Sequence, residues 1–186
     1  NSDMSKFKGK AIAQAIGTDY FTLLELVPKR GVDLEIQDTV YIGKGKRDQI
    51  YKVLGKLDYE NLTATSRIEL EYSIREIVNN NEEKFVDFFN TAGAISTRLH
   101  KLELIPGIGK KYMWEIVEAR KEKPFESFED ITTRIPSLNN PAEMIVNRVK
   151  QELDTTTAKK GKKKYYLFTP IPKTQKKHRN NRNQRK

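Results

Sequence analysis

Leu104-Ile105-Pro106-Gly107-Ile108-Gly109-Lys110-Lys111 is a turn sequence set between two apolar-periodic segments, and its reading decides the fold. Upstream, Ile95, Leu99 and Leu102 recur at i, i+4 and i+7. Downstream, Met113, Ile116 and Val117 recur at i, i+3 and i+4, so each side predicts a helix with one buried face. Gly107 and Gly109 can take positive φ, and without a Cβ they let another molecule come close to the backbone. The second helix starts at the turn. Its first N–H groups therefore lack intrahelical partners and point outward with the positive end of the helix dipole, which suits a phosphate. Lys110 and Lys111 add formal charge at the same spot. The plain alternative is a turn that only joins and packs two helices.

The stretch resembles the hairpin of helix-hairpin-helix proteins. That resemblance implies a grip on nucleic-acid backbone through Pro106, Gly107, Ile108, Gly109, Lys110 and Lys111, with no reading of base sequence; some modules of this type serve only for packing or protein docking. Such units commonly come in pairs, and Glu118 to Ile131 resembles the connection between two of them. Ser127 with Asp130 predicts an N-cap opening a short helix through Thr133. A second turn then falls at Ile135-Pro136-Ser137-Leu138-Asn139-Asn140, and a last helix starts at Pro141 with Ile145, Val149 and Leu153 inward. Ser137 and Asn139 stand where the first turn has glycines. Asn adopts a left-handed conformation readily and Ser does not, so this second turn reads as mainly structural.

Composition narrows the remainder. The 186 residues suffice for one good core or two small ones, and the absence of Cys excludes a disulfide scaffold or thiolate metal site. No metal or cofactor is expected. No apolar run approaches a membrane span and no signal peptide is visible, so a soluble cytoplasmic protein with no membrane partner is the expectation. Asn1-Ser2-Asp3 before Met4 reads as a trimmed end and carries no fold inference.

The net charge of +10 is unevenly held: from Lys159 to Lys186 there are twelve Lys or Arg and no Asp or Glu, which leaves 23 basic against 25 acidic residues elsewhere. Nucleic acid would therefore be met by a local site and the tail, not by a general positive field. Like charges repel, so the tail reads as an arm for polyanion, with Lys159, Lys160, Lys162, Lys163 and Lys164 at its start; a merely solubilising tail is the alternative.

Residues 1–62 read as β. Alternation at Ile12, Gln14 and Ile16, a run from Phe21 to Val27, another from Thr39 to Ile42, and the set Tyr51, Val53, Gly55, Leu57 and Tyr59 predict about four strands, suited to a small barrel of the OB or SH3-like kind. Lys29, Arg30, Lys44, Lys46 and Arg47 fall in loops, with Tyr41, Tyr51 or Tyr59 as stacking faces for bases; solvated lysines and half-core tyrosines are the bland reading. Residues 63–93 predict a helical connector. Ser66 or Thr65 caps a helix with Ile68, Leu70, Ile74, Ile77 and Val78 on one face, Asn79-Asn80-Asn81 ends it, and Phe85, Phe88 and Phe89 mark a second, packed helix. Glu82, Glu83 and Asp87 read as a solvated surface and not as a metal centre. Residues 94–154 form the tandem helix-hairpin-helix region, and 155–186 the basic tail, with a short strand over 164–168 and order ending near Phe168. The chain is thus expected to be α+β.

Over nearly its whole length the sequence resembles an archaeal family known as domain of unknown function 655. Ala13 to Leu26, the turn from Ile105 to Lys110, the Pro141 helix and Lys164-Tyr165-Tyr166-Leu167-Phe168 carry the match. The resemblance implies a β-barrel followed by paired helix-hairpin-helix units, and a nucleic-acid-binding role, with RNA favoured over DNA, linked to translation, the ribosome or its assembly intermediates. It also implies a further N-terminal segment and strand, so the barrel in this chain is expected to be incomplete.

Catalysis is not expected. The two histidines, His100 and His178, lie far apart, and no Ser nucleophile has a recognisable base partner. Asp130 sits at about the distance past the hairpin that a helix-hairpin-helix glycosylase would use, but Phe128 and Glu129 precede it and the helices that would enclose a flipped base are missing. The alternatives are a DNA-binding or repair-related protein of glycosylase or nuclease type, and a protein-docking scaffold that leaves Lys110 and Lys111 idle. Phosphate contacts are indifferent to the sugar, so these residues alone do not separate RNA from DNA.

Overall fold

A computed structural model describes residues 11–154, 156 and 164–172. Strand β1 (Ala13–Ile16) pairs antiparallel with β2 (Leu23–Pro28), which pairs antiparallel with β3 (Ile50–Lys56). The β1–β2 connection is closed by Gly17 N–H donating to Thr22 O and Phe21 N–H donating to Gly17 O, both at 2.9 Å. It drives Phe21, at φ 50°, fully into the core, where its ring lies 6.1 Å from that of Phe85.

The expected barrel is not there: among the described residues the sheet is three-stranded and open, and Thr39 to Ile42 make no strand. Local chemistry explains this. The chain curls around the ring of Tyr41, whose hydroxyl accepts from Gly45 N–H at 3.2 Å, and Gly43 lies so close that an added Cβ would come within 2.2 Å of that hydroxyl oxygen. A segment folded on its own side chain cannot extend along a neighbour.

Helix α1 (Ala64–Asn80) is capped by Thr63, whose hydroxyl accepts from Ser66 N–H at 3.1 Å; neither Thr65 nor Ser66 is the cap. Thr63 is held in turn by Gln14 of β1, which accepts from its N–H at 2.9 Å and donates to Asn61 O at 3.0 Å, so the sheet sets the start of the helix. Leu70, Ile74, Ile77 and Val78 are buried, but Ile68, expected on the same face, is 65% exposed. Asn81 ends the helix, its side-chain amide donating to Ile77 O. Helix α2 (Glu82–Thr91) buries Phe85 and Phe89 and half-buries Phe88.

The helix expected over Ile95 to Leu102 is replaced by a small hairpin, β4 (Ala94–Ser96) with β5 (Leu99–His100), and a 3₁₀ turn at Lys101–Leu104. His100 is the cause. Its Nδ1 accepts from Leu102 N–H at 3.1 Å while the Glu103 carboxylate accepts from His100 N–H at 2.8 Å, a reciprocal cap that starts a new turn inside the predicted helix.

Helices α3 (Lys110–Glu122), α4 (Phe128–Arg134) and α5 (Pro141–Leu153) follow. Ser127 caps α4 as expected, accepting from Asp130 N–H at 2.9 Å. Pro141 opens α5 behind Asn140, which, and not Asn139, takes the left-handed conformation open to an asparagine and caps Glu143 N–H at 3.1 Å. Ile145 and Val149 are fully buried. Helices α1 and α5 pack side by side, bridged by Arg75, which donates to Glu143 at 3.0 and 3.1 Å and to Glu71 at 3.0 Å, and by Lys150 on Glu71. These cations hold the Glu71 carboxyl below its ordinary value, Lys150 contributing most.

Candidate nucleic-acid interface

Ile105 and Ile108 are buried, and Ile108 N–H donates to Ile105 O at 3.0 Å, so the turn between the 3₁₀ segment and α3 is anchored by two apolar side chains and one backbone bond. Ile108 therefore supports the site from below; its side chain, only 3% exposed, does not reach a ligand. Pro106 is half-buried, while Gly107, Gly109, Lys110 and Lys111 are exposed. Gly107 has φ +89°. Gly109 does not use the positive φ open to it: it is extended at φ −87° and is the N-cap of α3. It brings no side-chain cap, and a Cβ built on it would meet nothing within 4 Å. The first amides of α3 thus face open space beside two lysines. Lys111 reaches Glu115 at 3.9 Å yet stays 80% exposed, and Lys110 has no ion pair among the described residues.

The second turn differs. Ser137 hydroxyl donates to Glu115 carboxylate at 3.2 Å, so the position of the first glycine carries a side chain turned toward the acidic flank of α3. Asp130 accepts from Glu126 N–H at 3.1 Å and meets Arg134 at 3.4 Å, which ties this carboxylate to the connector.

Lys44, Lys46 and Arg47 lie in the loop before β3, apart from the turn in the chain and joined to it by no hydrogen bond or ion pair among the described residues. Lys46 and Asp48 approach at 3.9 Å, both well exposed. Arg47 Nε donates to Gly43 O at 3.1 Å, and Lys29 Nζ donates to Arg47 O, so two of the five loop cations are spent partly on holding the loop.

Of the tail residues, Lys159, Lys160, Lys162 and Lys163 lie outside the described residues. Lys164 is half-buried and donates to Asp154 O at 3.0 Å; burial pushes its ammonium below the ordinary lysine value, so it works as an anchor more than as a surface charge. The strand expected over 164–168 is absent. Instead this segment is captured by α5. The fully buried carboxylate of Glu152 accepts from Leu167 N–H at 2.7 Å, Phe168 N–H at 3.0 Å, Thr169 N–H at 2.9 Å and Thr169 hydroxyl at 3.0 Å, and is paired with Arg148 at 2.8 Å. Thr169, beyond the expected end of order, is buried. Phe168 stands edge-on to Phe85 and Phe88, with ring centroids 5.5 and 5.0 Å away. Arg148 also donates to Leu104 O at 3.0 Å and to Tyr165 O, so one buried pair ties the entry of the turn, α5 and the C-terminal segment together.

Sequence reasoning passed over Trp114, which is 58% exposed on α3. The signal was available: it lies four residues after Lys110 and one after the inward Met113.

Among the described residues no helix is long and apolar enough to cross a membrane, and no three or more His, Cys, Asp or Glu come together as a metal site.

These features define a mixed α+β protein, in whose described residues a small antiparallel sheet leads into five helices and a bare, lysine-flanked helix start. The chain belongs to the family described as protein of unknown function DUF655, whose model matches residues 1–170. It is 48% identical over 157 residues to a curated relative, uncharacterized protein MJ0038 of Methanocaldococcus jannaschii, covering 84% of this chain and 70% of that one. It is also similar to the crystal structure of Af1531 from Archaeoglobus fulgidus, of the same family, with a TM-score of 0.76, 46% identity, and coverage of 87% of this chain and 86% of that one.

Proposed function

We propose that this protein is a non-enzymatic, cytoplasmic nucleic-acid binder that grips phosphate without reading sequence, and that its ligand is RNA of the ribosome or its assembly intermediates. The observation that carries the reading is the uncapped start of α3. Gly109 opens the first amides to solvent, and Lys110 and Lys111 stand exposed beside them. The turn, set between the 3₁₀ segment and α3, and its partner at 135–140 act as a pair in which the first grips and the second supports. The lysine-rich residues from 159 onward add charge, and Lys44, Lys46 and Arg47 form a secondary contact. RNA is preferred to DNA through the family resemblance. The glycosylase alternative is the weaker one, because Asp130 is already engaged by Glu126 and Arg134.

The test is anisotropy titration of labelled RNA and DNA with the full chain, joined to crosslinking in cells and sequencing of what is recovered. Salt-sensitive binding indifferent to sequence, with RNA enriched in cells, is the expected result. No binding at low salt would overturn it.

The docking-scaffold reading is favoured by a different surface. Ile68 and Tyr72, one turn apart on α1, are 65% and 57% exposed, and Ile36, 63% exposed, is drawn toward them by Gln37 donating to Glu69 at 3.0 Å. Loss of a co-purifying protein on Ile68→Lys, with RNA binding intact, would favour it.

A further inference from the structure

Trp114 is the one tryptophan of the chain and stands on the outer face of α3. Met113 and Ile116 turn inward, and at about 100° per residue Trp114 projects away from them, in line with Lys110 four residues before and Lys121 seven after, with Lys111 at the edge of the same face. Its ring meets no aromatic or cationic partner among the described residues. Glu118, the acid on this face, is paired with Lys121 at 2.7 Å. A broad, bare indole is therefore framed by cations.

We propose that Trp114 is a base-stacking platform and that the nucleic acid bound at this face is single-stranded; the proposal rests on the phosphate-gripping function argued above. The geometry favours an unpaired strand over a duplex. Bases in a duplex are stacked on one another and leave no free face for an indole, whereas a single strand offers a base and a phosphate from the same nucleotide. About 6 Å of helical rise separates Lys110 from Trp114, short enough for a nucleotide whose phosphate meets the start of α3 to lay its base on the ring. An apolar protein partner would leave Lys110, which has no ion pair among the described residues, without complementary charge. A polyanion with aromatic bases satisfies both halves of the surface.

The lone indole supplies its own readout. Emission of Trp114 in the full chain is followed during titration with a short single-stranded RNA, its duplex, and inorganic polyphosphate, while anisotropy of the labelled RNAs reports binding. Quenching by the single strand and not by polyphosphate is expected. Trp114→Ala should weaken single-strand binding about tenfold, leave duplex binding unchanged and leave the melting temperature near the parent's, and Trp114→Phe should restore most of the loss. If the single strand binds parent and Trp114→Ala alike without quenching, the platform is overturned while the phosphate grip survives, and the indole face belongs to a protein partner. If neither RNA nor polyphosphate binds, the functional reading falls and the platform with it.

Discussion

A Cβ added at Gly107 would lie 3.3 Å from the terminal methyl of Met144, whereas one added at Gly109, two residues on, would meet nothing. The two glycines of the turn therefore serve different ends. Gly107, at φ +89°, is required by the backbone, and the methyl of Met144 lies close enough that it would have to yield slightly to a side chain there. Gly109 is required only if something outside the protein comes close.

Alanine substitution should separate these roles. Gly107→Ala forces a side chain into a left-handed backbone and against Met144, a loss of about 1–3 kcal/mol, seen as a drop of about 2–4 °C in melting temperature for each kcal/mol. Gly109→Ala should melt near the parent yet bind RNA more weakly, and more so than Lys110→Ala or Lys111→Ala. Unchanged affinity in Gly109→Ala would make the turn a structural joint.

Glu152 predicts a large stability effect far from the turn. Its carboxylate accepts five hydrogen bonds in a dry site, and removing it strands Arg148 with buried charge. Glu152→Ala should lose about 3–5 kcal/mol by chemical denaturation. Glu152→Gln should lose nearly as much, because one of its two oxygens becomes a donor facing donors. Limited proteolysis should then cut near 164–172 before the rest of the chain.

Salt dependence tests the basic C-terminus. Ending the chain after Pro172 removes Lys173, Lys176, Lys177, Arg179, Arg182, Arg185 and Lys186 and keeps every bond that Thr169 makes to Glu152. The slope of log affinity against log salt, about −0.7 per phosphate contact on single strands, should become clearly shallower with the melting temperature nearly unchanged. An unaltered slope would show that these residues touch no phosphate.

His100 predicts the behaviour of the turn in mild acid. Burial, with Arg120 nearby, pushes its imidazole below the ordinary value of 6.5, and its neutral Nδ1 accepts the Leu102 amide proton. The unfolded chain then binds the proton more readily, so the stabilisation is complete above 6.5 and is lost as pH falls through that value toward the folded one. Melting temperature should decline across that window, and His100→Asn should flatten the decline.

Much of the helical half was legible because its signals are local. Ser127, Pro141 and the phenylalanines of α2 state their roles within one turn of chain. What escaped depends on distant or competing partners. The helix drawn through Ile95 and Leu102 fails because His100 and Glu103 cap a tighter turn. The strand at Thr39 to Ile42 fails because Tyr41 gathers Gly43 and Gly45 around its ring. Nothing near Tyr165 says that a carboxylate on α5 will hold the segment. At the candidate interface, the exposure of Gly107, Gly109, Lys110 and Lys111 follows from a turn sequence that the chain displays locally. Trp114 needed only the same helical period applied to the outward face.

The bond from Lys164 to the carbonyl of Asp154 holds two residues ten positions apart in the chain against each other at the end of α5. Closure entropy grows only with the logarithm of length, so doubling such a segment costs about 0.6 kcal/mol. The bond between these two anchors therefore sets only a weak constraint on the length of chain that joins them.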